Sequence, residues 1–282
     1  MNSKKKINKR ILLKIWFQYL GAIMPRAVAA STIRFSAQPR RYLPKVTDKP
    51  LIEAGKELHE ITDNYDVVGY DWGNNTNDVA LLLHGWSSHA LSMRNFVKPL
   101  LNKNYRVIAF DAPGHGRSNS QHKTLTYKKL VGDLIDKYKP KTIIAHSAGA
   151  LYALLELKTR VNIEVKNMVT IGMPLNAIFT VELYLNEFSM HKFARKHFWN
   201  KIRSSWQINF QDLDLTTVYA NQIGINGIIV HDVNDMTIPY SHAVELHKLW
   251  PKSQLITTHG YGHSLVLKNN EVINNIINSL II

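Results

Sequence analysis

Short apolar runs alternate with longer amphipathic stretches from about residue 64 to the end of the chain. Runs rich in β-branched residues predict strands, whereas apolar residues spaced three and four apart predict helices. We predict strands at residues 66–70, 79–83, 106–110, 142–145, 167–171, 227–230 and 254–257. We predict helices at residues 92–103, 126–138, 148–157, 241–250 and 271–280. The alternation indicates βαβ units, so the expected fold class is α/β, with a mostly parallel central sheet flanked by helices.

The alternation stops between about residues 175 and 222, where the pattern is helical and rich in aromatic residues. These aromatic residues are Phe179, Tyr184, Phe188, Phe193, Phe198, Trp199, Trp206 and Phe210. We predict that this insertion is a helical cap over an active site. The alternative is that its aromatic side chains only pack the insertion onto the sheet. At 282 residues the chain is long enough for one large α/β domain that carries such an insertion.

The formal net charge of +14 is concentrated at the N-terminus. Residues 1–50 contain 12 Lys and Arg residues and one acidic residue, Asp48, which leaves only +3 for the rest of the chain. The remainder carries no motif typical of nucleic-acid binding, so we expect no nucleic-acid partner. We therefore divide the chain into a basic extension, residues 1–50, and an α/β domain, residues 51–282. The absence of cysteine excludes disulfides and a cysteine nucleophile.

The basic extension contains an amphipathic segment with apolar residues at helical spacing. They are Ile11, Leu12, Ile15, Trp16, Tyr19, Leu20 and Ile23. The uncharged stretch between Lys14 and Arg26 is 11 residues long, whereas a transmembrane helix needs about 20 apolar residues. A signal peptide is disfavoured because Lys14 and Gln18 interrupt the apolar region. Two alternatives stay open: the helix lies on an anionic membrane surface, or the same face packs against the domain. We expect a cytoplasmic protein, with peripheral membrane contact as the open alternative.

A candidate nucleophile lies between a predicted strand and a predicted helix. Ser147 stands in the segment Ala145-His146-Ser147-Ala148-Gly149, directly after the apolar run at residues 142–144. A tight strand–turn–helix junction exposes a serine oxygen above a sheet, and small flanking residues allow the close backbone approach that it requires. This five-residue pattern, small-x-Ser-x-Gly, is by itself weak evidence for a catalytic serine.

Further segments of the chain resemble the α/β-hydrolase family. The apolar run Leu81-Leu82-Leu83 ends in His84-Gly85-Trp86. The segment at residues 111–118 is similar to the Asp-x-Pro-Gly-His-Gly-x-Ser turn of that family. The resemblance implies that the backbone N–H groups of Trp86 and Ala148 form an oxyanion hole. We expect His84 to be structural, because a later histidine is a better candidate for the catalytic base. We expect Asp111 to be structural as well, because the glycines and proline of its segment specify a tight turn whatever the function.

The same resemblance supplies the acid and the base of a catalytic triad. Asp235 follows the predicted strand at 227–230 and precedes a proline, which is where the family places its acid. Asp232 is the second candidate, and we expect it to hold the loop through backbone hydrogen bonds. His263 follows the last predicted strand within a glycine-containing loop. The order Ser147, Asp235, His263 is the order expected for this fold.

We therefore predict a serine hydrolase that cleaves a carboxylic ester, with Ser147 as nucleophile, His263 as general base and Asp235 orienting that histidine. The aromatic insertion favours an apolar acyl or alcohol group. Ser at position 147 disfavours family relatives with an Asp nucleophile, such as epoxide hydrolases. We expect a small-molecule substrate, no cofactor and no metal. The alternatives are a thioesterase or other acyl hydrolase, and a hydrolase-like scaffold that binds without turnover.

Overall fold

A single sheet of eight strands forms the centre of the part of the chain that the structure describes, in the order β1-β2-β4-β3-β5-β6-β7-β8. The computed structural model describes residues 14–36, 38–62, 64–119, 126–160, 163–187, 189–206, 213–216 and 224–281. The strands are β1 (Lys56–Thr62), β2 (Tyr65–Trp72), β3 (Val79–Leu83), β4 (Arg106–Phe110), β5 (Thr142–His146), β6 (Asn167–Ile171), β7 (Asn226–Asp232) and β8 (Ser253–Thr258). Strand β2 runs antiparallel to both of its neighbours, and the pairings among β3 to β8 are all parallel. The predicted α/β class with a mostly parallel sheet is confirmed.

The central strands are continuous apolar runs because both faces of the sheet are covered. Every residue of β3, β5 and β6 is buried. Strands in a parallel sheet with helices on both faces lose the polar alternation of half-exposed strands. This is why β3, β4 and β6 have the bounds predicted from sequence.

The edge strand β1 was not predicted, and its sequence explains why. Its seven residues, Lys-Glu-Leu-His-Glu-Ile-Thr, are mostly exposed and mostly polar. It pairs with β2 along its whole length, from Lys56 opposite Asp71 to Thr62 opposite Tyr65. The strand is therefore held by backbone pairing rather than by burial, so no apolar run marks it.

The described part of the chain contains α-helices before, between and after these strands. They are α1 (Gly21–Ile23), α2 (Pro25–Ser36), α3 (Lys49–Glu53), α4 (Val97–Asn102), α5 (Thr126–Tyr138), α6 (Ala148–Leu157), α7 (Ala177–Glu187), α8 (Lys192–Trp206), α9 (Ser241–Leu249), α10 (Gly262–Leu265) and α11 (Asn270–Asn278). The helix predicted at 92–103 is in fact a 3-10 helix, Ala90–Phe96, followed by α4. Pro99 has no N–H to donate to the carbonyl of Asn95, so a continuous α-helix would lose a hydrogen bond at this junction.

The chain divides into two compact units. The first, the helical unit, consists of residues 1–38 and 177–213, and the second, the sheet unit, consists of residues 39–176 and 214–282. The boundary between the two units falls at residue 38, so residues 39–50 belong to the sheet unit. The physical reason is that residues 39–50 are tied to the sheet unit. The Arg41 guanidinium donates hydrogen bonds to the carbonyls of Gly116 and Ser118, at 3.2 and 3.0 Å. Asp48 is buried there beside Arg94.

The helical unit joins the N-terminal segment to the insertion. A π-helical turn, Trp16–Leu20, runs into α1, and the chain bends at Met24 before α2. Its buried core consists of Phe17, Val28, Ala29, Leu185, Met190, Ala194, Phe198 and Ile202. The N-terminal segment therefore packs on α7 and α8. Whether the insertion caps an active site stays a prediction.

Several residues singled out in the sequence lie outside the described part of the chain. They are Ile11, Leu12, Phe188 and Phe210, and the side chains of Trp16, Tyr184 and Trp206. Within the described part, none of the helices combines the length and the apolar content that crossing a bilayer requires.

Candidate active site

Ser147 occupies a strained turn between β5 and α6. Its backbone has φ 52° and ψ −120°, a conformation that non-glycine residues adopt only when the surrounding structure enforces it. The Ser147 N–H donates to the carbonyl of Ile171 at 2.9 Å, which anchors the turn to β6. Gly149 is required next to it, because a Cβ atom there would lie 2.5 Å from the carbonyl oxygen of His84. Ala145 is fully buried, so one methyl group is accommodated where a glycine is usual.

The structure brings Ser147, His263 and Asp235 together. The Nε2 atom of His263 lies 3.1 Å from the Ser147 hydroxyl oxygen, and its Nδ1 atom lies 2.7 Å from Oδ2 of Asp235. A carboxylate only accepts hydrogen bonds, so Nδ1 is the protonated nitrogen and donates to Asp235. The lone pair of Nε2 then faces the serine hydroxyl. This arrangement lets His263 take the Ser147 proton as a general base.

Asp235 is held as a carboxylate by three donors. Its Oδ1 atom accepts the backbone N–H groups of Thr237 and Ile238, at 2.7 and 2.9 Å, while Oδ2 faces His263. Burial raises the pKa of Asp235, but the hydrogen bond and charge of His263 and these two amides outweigh it, so its pKa lies below the ordinary value. An ionised Asp235 in this position can orient the imidazole and can stabilise an imidazolium at His263.

Asp232, the second candidate for the acid, is used in a different way. Its Oδ1 atom accepts the N–H of Asn234, and its Oδ2 atom accepts both the Thr258 hydroxyl and the Tyr261 N–H, each at 2.9 Å. These bonds tie the loop after β7 to the loop after β8, which carries His263. In the described part of the chain, no cluster of His, Asp and Glu side chains is arranged to hold a metal ion.

The predicted oxyanion donors lie on the two segments that flank Ser147. Ala148 is the first residue of α6, directly after the serine. The loop containing Gly85 and Trp86 passes beside it, since a Cβ atom on Gly85 would lie 3.0 Å from the Ser147 Cβ. A side chain at position 85 would therefore displace the loop. That the backbone amides of Trp86 and Ala148 form an oxyanion hole stays a prediction.

His84 and Asp111 hold the loops around the site, as predicted. The Ala112 N–H donates to Nε2 of His84 at 2.9 Å, and complete burial lowers the pKa of His84 well below its usual value. Asp111 accepts the N–H of Ala90 at 2.6 Å and that of Arg117 at 2.8 Å. Both side chains are committed to backbone groups, which leaves neither available as a base or nucleophile.

Sequence reasoning missed three residues that contact the triad. Gly172 has φ +58°, and a Cβ atom on it would lie 3.2 Å from Nδ1 of His263 and 3.5 Å from Oδ2 of Asp235. His146 packs its ring against that of His263, with 4.7 Å between the ring centroids. The Nε2 atom of His231 donates to the carbonyl of Ile238 at 2.8 Å and lies 3.5 Å from Oδ2 of Asp235. Gly172 and His146 each directly follow a predicted strand, but this position alone does not mark a residue as part of a site.

Apolar side chains are exposed next to the triad residues in the chain. Met236 is 95% exposed and follows Asp235, while Leu265 lies two residues after His263 and is exposed as well. Val233 and Trp86 are also partly exposed. Exposed large apolar side chains on loops that carry reactive groups are typical of a binding site for an apolar group.

Comparison with known proteins places the chain among hydrolase-like folds. A family model described as "Alpha/beta hydrolase family" matches residues 80–275. The magnesium-chelatase 30 kDa subunit of Rhodobacter capsulatus is 39% identical over 90 residues, which are 30% of this chain and 31% of that protein. The match thus spans about a third of that relative's length.

Two solved structures share the fold over most of the chain. An esterase from Pyrococcus furiosus has a TM-score of 0.63 and 22% identity, and the match covers 86% of this chain and 98% of that chain. A membrane phospholipase A has a TM-score of 0.61 and 16% identity, and the match covers 96% of this chain and 98% of that one. At these identities the two structures show the shared fold alone.

Proposed function

Because this chain belongs to the alpha/beta hydrolase family, we propose that it is a serine hydrolase that cleaves carboxylic esters through an acyl-enzyme intermediate. The resemblance and the fold predicted from sequence are confirmed by the family match. The observation that carries the proposed mechanism is the continuous chain of contacts from the Ser147 oxygen through His263 to Asp235. The strained backbone of Ser147 supports it further, since such strain concentrates at functional sites.

The proposed reaction has two steps. In the first, the Ser147 oxygen attacks the ester carbonyl carbon and its proton passes to Nε2 of His263. The N–H groups of Trp86 and Ala148 stabilise the oxyanion, the ester C–O bond breaks, and His263 returns the proton to the leaving alcohol. In the second step, water attacks the acyl carbonyl carbon while His263 takes its proton. The bond between the acyl carbon and the Ser147 oxygen then breaks, His263 returns the proton to that oxygen, and the carboxylic acid leaves.

The proposed substrate carries an apolar acyl or alcohol group. The support is the exposed apolar side chains of Trp86, Val233, Met236 and Leu265 beside the triad residues. Burying one large aliphatic side chain against such a group stabilises a complex by about 1.5–3 kcal/mol, so several of them discriminate strongly between short and long acyl chains. A thioester would react by the same two steps, with a thiol as the leaving group.

Labelling with a fluorophosphonate probe tests the activated serine. We expect the purified wild-type chain and the Ser264→Ala variant to be labelled, and Ser147→Ala to remain unlabelled. Ser264 is the matched control because it is an exposed serine next to His263. Equal labelling of Ser147→Ala would show that another residue is the nucleophile. No labelling of folded wild-type protein would contradict the mechanism and favour a hydrolase-like scaffold that binds without turnover.

A series of p-nitrophenyl esters with increasing acyl length, together with a matched thioester, then tests the substrate class. We expect kcat/KM to rise with chain length and the oxygen ester to be cleaved. A maximum at the acetyl ester would contradict the apolar acyl pocket. A marked preference for the thioester would replace the proposed ester activity with a thioesterase activity.

A further inference from the structure

The N-terminal helical segment uses only one of its faces for packing. Phe17 is buried, and its carbonyl accepts the N–H of His191 at 3.3 Å. Gly21, one turn later, lies against α8, because a Cβ atom there would be 2.9 Å from the Cβ of His191 and 3.4 Å from that of Ala194. Phe17 and Gly21 therefore define the face that contacts the insertion helices, and this face has no room for larger side chains.

The opposite face is apolar and exposed. Ile15, Tyr19 and Ile23 recur at four-residue spacing and are 48, 67 and 77% exposed, and Met24 next to them is 54% exposed. We call these four residues the exposed stripe. The apolar residues that suggested an amphipathic helix therefore do not all pack on the protein. An apolar surface of this kind, on a segment that already has a packed face, indicates an interaction site.

The helical unit that carries the exposed stripe is strongly basic. Its residues, 1–38 and 177–213, contain 13 Lys and Arg residues and three acidic residues, a net charge of +10 out of +14 for the whole chain. Residues 1–38 alone contain eight basic residues and no acidic one. Lys14 and Arg26, on either side of the stripe, are both exposed. A partner that matches this surface must therefore offer an apolar region to the exposed stripe and negative charge to the basic residues.

Helix α8 also combines an exposed apolar side chain with exposed basic side chains. Phe193 is about half exposed, and the Nζ atom of Lys192 lies 5.4 Å from the centroid of its ring. Lys196 and Arg203 follow at four and eleven residues from Lys192, which places all three basic side chains on one side of the helix.

We propose that the exposed stripe, with the exposed Lys14 and Arg26 on either side of it, binds the surface of an anionic lipid bilayer. From Ile15 to Ile23 the stripe extends roughly 12 Å, whereas the hydrocarbon core is about 30 Å thick, so the segment lies in the interface and does not cross it. Tyr19 suits the boundary between acyl chains and headgroups, and the basic side chains reach the lipid phosphates. A nucleic acid would leave the apolar stripe unpaired, and a neutral protein partner would leave the charge uncompensated. The inference is independent of the proposed hydrolase activity.

Sedimentation of the full-length chain with vesicles tests this surface. We expect binding to vesicles of phosphatidylcholine with about one third phosphatidylglycerol, weak binding to phosphatidylcholine alone, and release by raised salt. The double variant Tyr19→Ser with Ile23→Ser removes two exposed apolar side chains. We expect its affinity for anionic vesicles to be lower than that of wild type by a factor of roughly ten or more. The double variant Lys14→Gln with Arg26→Gln should weaken binding to anionic vesicles only, by roughly fivefold for each charge removed.

The matched control is Val46→Ser with Ile61→Ser, which removes two exposed apolar side chains from the sheet unit and should bind as wild type does. Thermal unfolding and fluorophosphonate labelling report, separately from vesicle binding, that each variant is folded and that the proposed activity is intact. Equal binding by wild type and Tyr19→Ser/Ile23→Ser would overturn the proposal, as would failure of wild type to bind anionic vesicles. If wild type instead forms a dimer that this variant dissociates, the stripe is a self-association surface and the membrane proposal is wrong.

Discussion

The imidazole of His146 donates a hydrogen bond from Nε2 to the backbone carbonyl of His263, at 2.8 Å. A carbonyl can only accept, so the proton of the neutral ring is on Nε2, and the buried Nδ1 atom has no hydrogen-bond partner among the described residues. Burial and the nearby charge of His263 lower the pKa of His146 to about 3. His146 therefore stays neutral while His263 gains and loses a proton, and it fixes the backbone that carries the proposed base.

Replacing His146 should lower turnover without removing the triad. In His146→Leu the volume is retained but the donor to the His263 carbonyl is lost, so we expect kcat on a p-nitrophenyl ester to fall roughly tenfold to a hundredfold, with little change in KM. His146→Gln keeps an N–H donor at a similar reach and should recover much of the loss. A kcat at the wild-type level in His146→Leu would show that the hydrogen bond does not position His263.

Replacing each of the two aspartates near His263 by asparagine should have different effects: the change at Asp235 should mainly lower kcat, and the change at Asp232 should mainly lower stability. Asp235→Asn presents an N–H₂ group to Nδ1 of His263 and forces the wrong tautomer, so we expect kcat to fall on the order of a thousandfold or more with little loss of thermal stability. Asp232→Asn loses acceptors for Thr258 and Tyr261, so we expect about 1–3 kcal/mol of destabilisation and a smaller loss of kcat. Parallel measurement of kcat and Tm separates the two. The reverse pattern would make Asp232 the functional acid.

Gly172 provides a test of packing beneath the triad. Gly172→Ala places a methyl group 3.2 Å from Nδ1 of His263 at a positive φ, so we expect a loss of about 1–2 kcal/mol of stability and at least a tenfold loss of kcat. Gly260→Ala is the matched control, because its φ is +80° and its Cβ would meet no atom within 4 Å. The control should be destabilised by a similar amount while kcat is retained. Equal kcat in the two variants would show that the contact with His263 is unimportant.

The sheet was predictable where burial dictated the sequence. β3, β4 and β6 are short, almost wholly buried runs, and their bounds follow from composition alone. Strand β1 could not be found in this way, since backbone pairing with β2 stabilises it and its side chains face solvent. The packing of Phe17 on residues of α8 was equally inaccessible. It joins segments more than 170 residues apart in the chain, and no local pattern records which face will find a partner.

The sequence predicts those residues of the site that can be recognised by their type and their order along the chain. Ser147, Asp235 and His263 could be proposed from their order and from the elements that precede them. Gly172 and His146 could not, because their importance comes from distance to His263 rather than from residue type. A glycine after a strand and a histidine before a serine are common, and only the folded chain shows that both contact the same ring.

Buried neutral histidines should make the fold sensitive to acid. Burial lowers the pKa of His146 to about 3 and that of His84 well below the usual 6.5, whereas both titrate normally in the unfolded chain. Below pH 6.5 the unfolded chain therefore binds more protons than the folded one, so the free energy of unfolding falls as the pH falls. Each such histidine contributes a slope of about 1.4 kcal/mol per pH unit until its folded pKa is reached. For His146, whose folded pKa is about 3, two pH units below 6.5 remove about 3 kcal/mol, a large part of the stability of many domains.

Denaturant unfolding between pH 8 and pH 4.5 measures this slope, and His146→Gln provides the control. Glutamine does not titrate, so the variant should lose stability with a slope smaller by about 1.4 kcal/mol per pH unit below pH 6.5. Stability of the two proteins should converge as the pH falls, even if the variant is the less stable one at pH 8. The depressed pKa of Asp235 acts in the same direction only below about 3.8, its ordinary value, so it does not contribute within this range. Identical slopes for wild type and His146→Gln would show that His146 is protonated in the folded protein, and its proposed neutral role beside His263 would then be wrong.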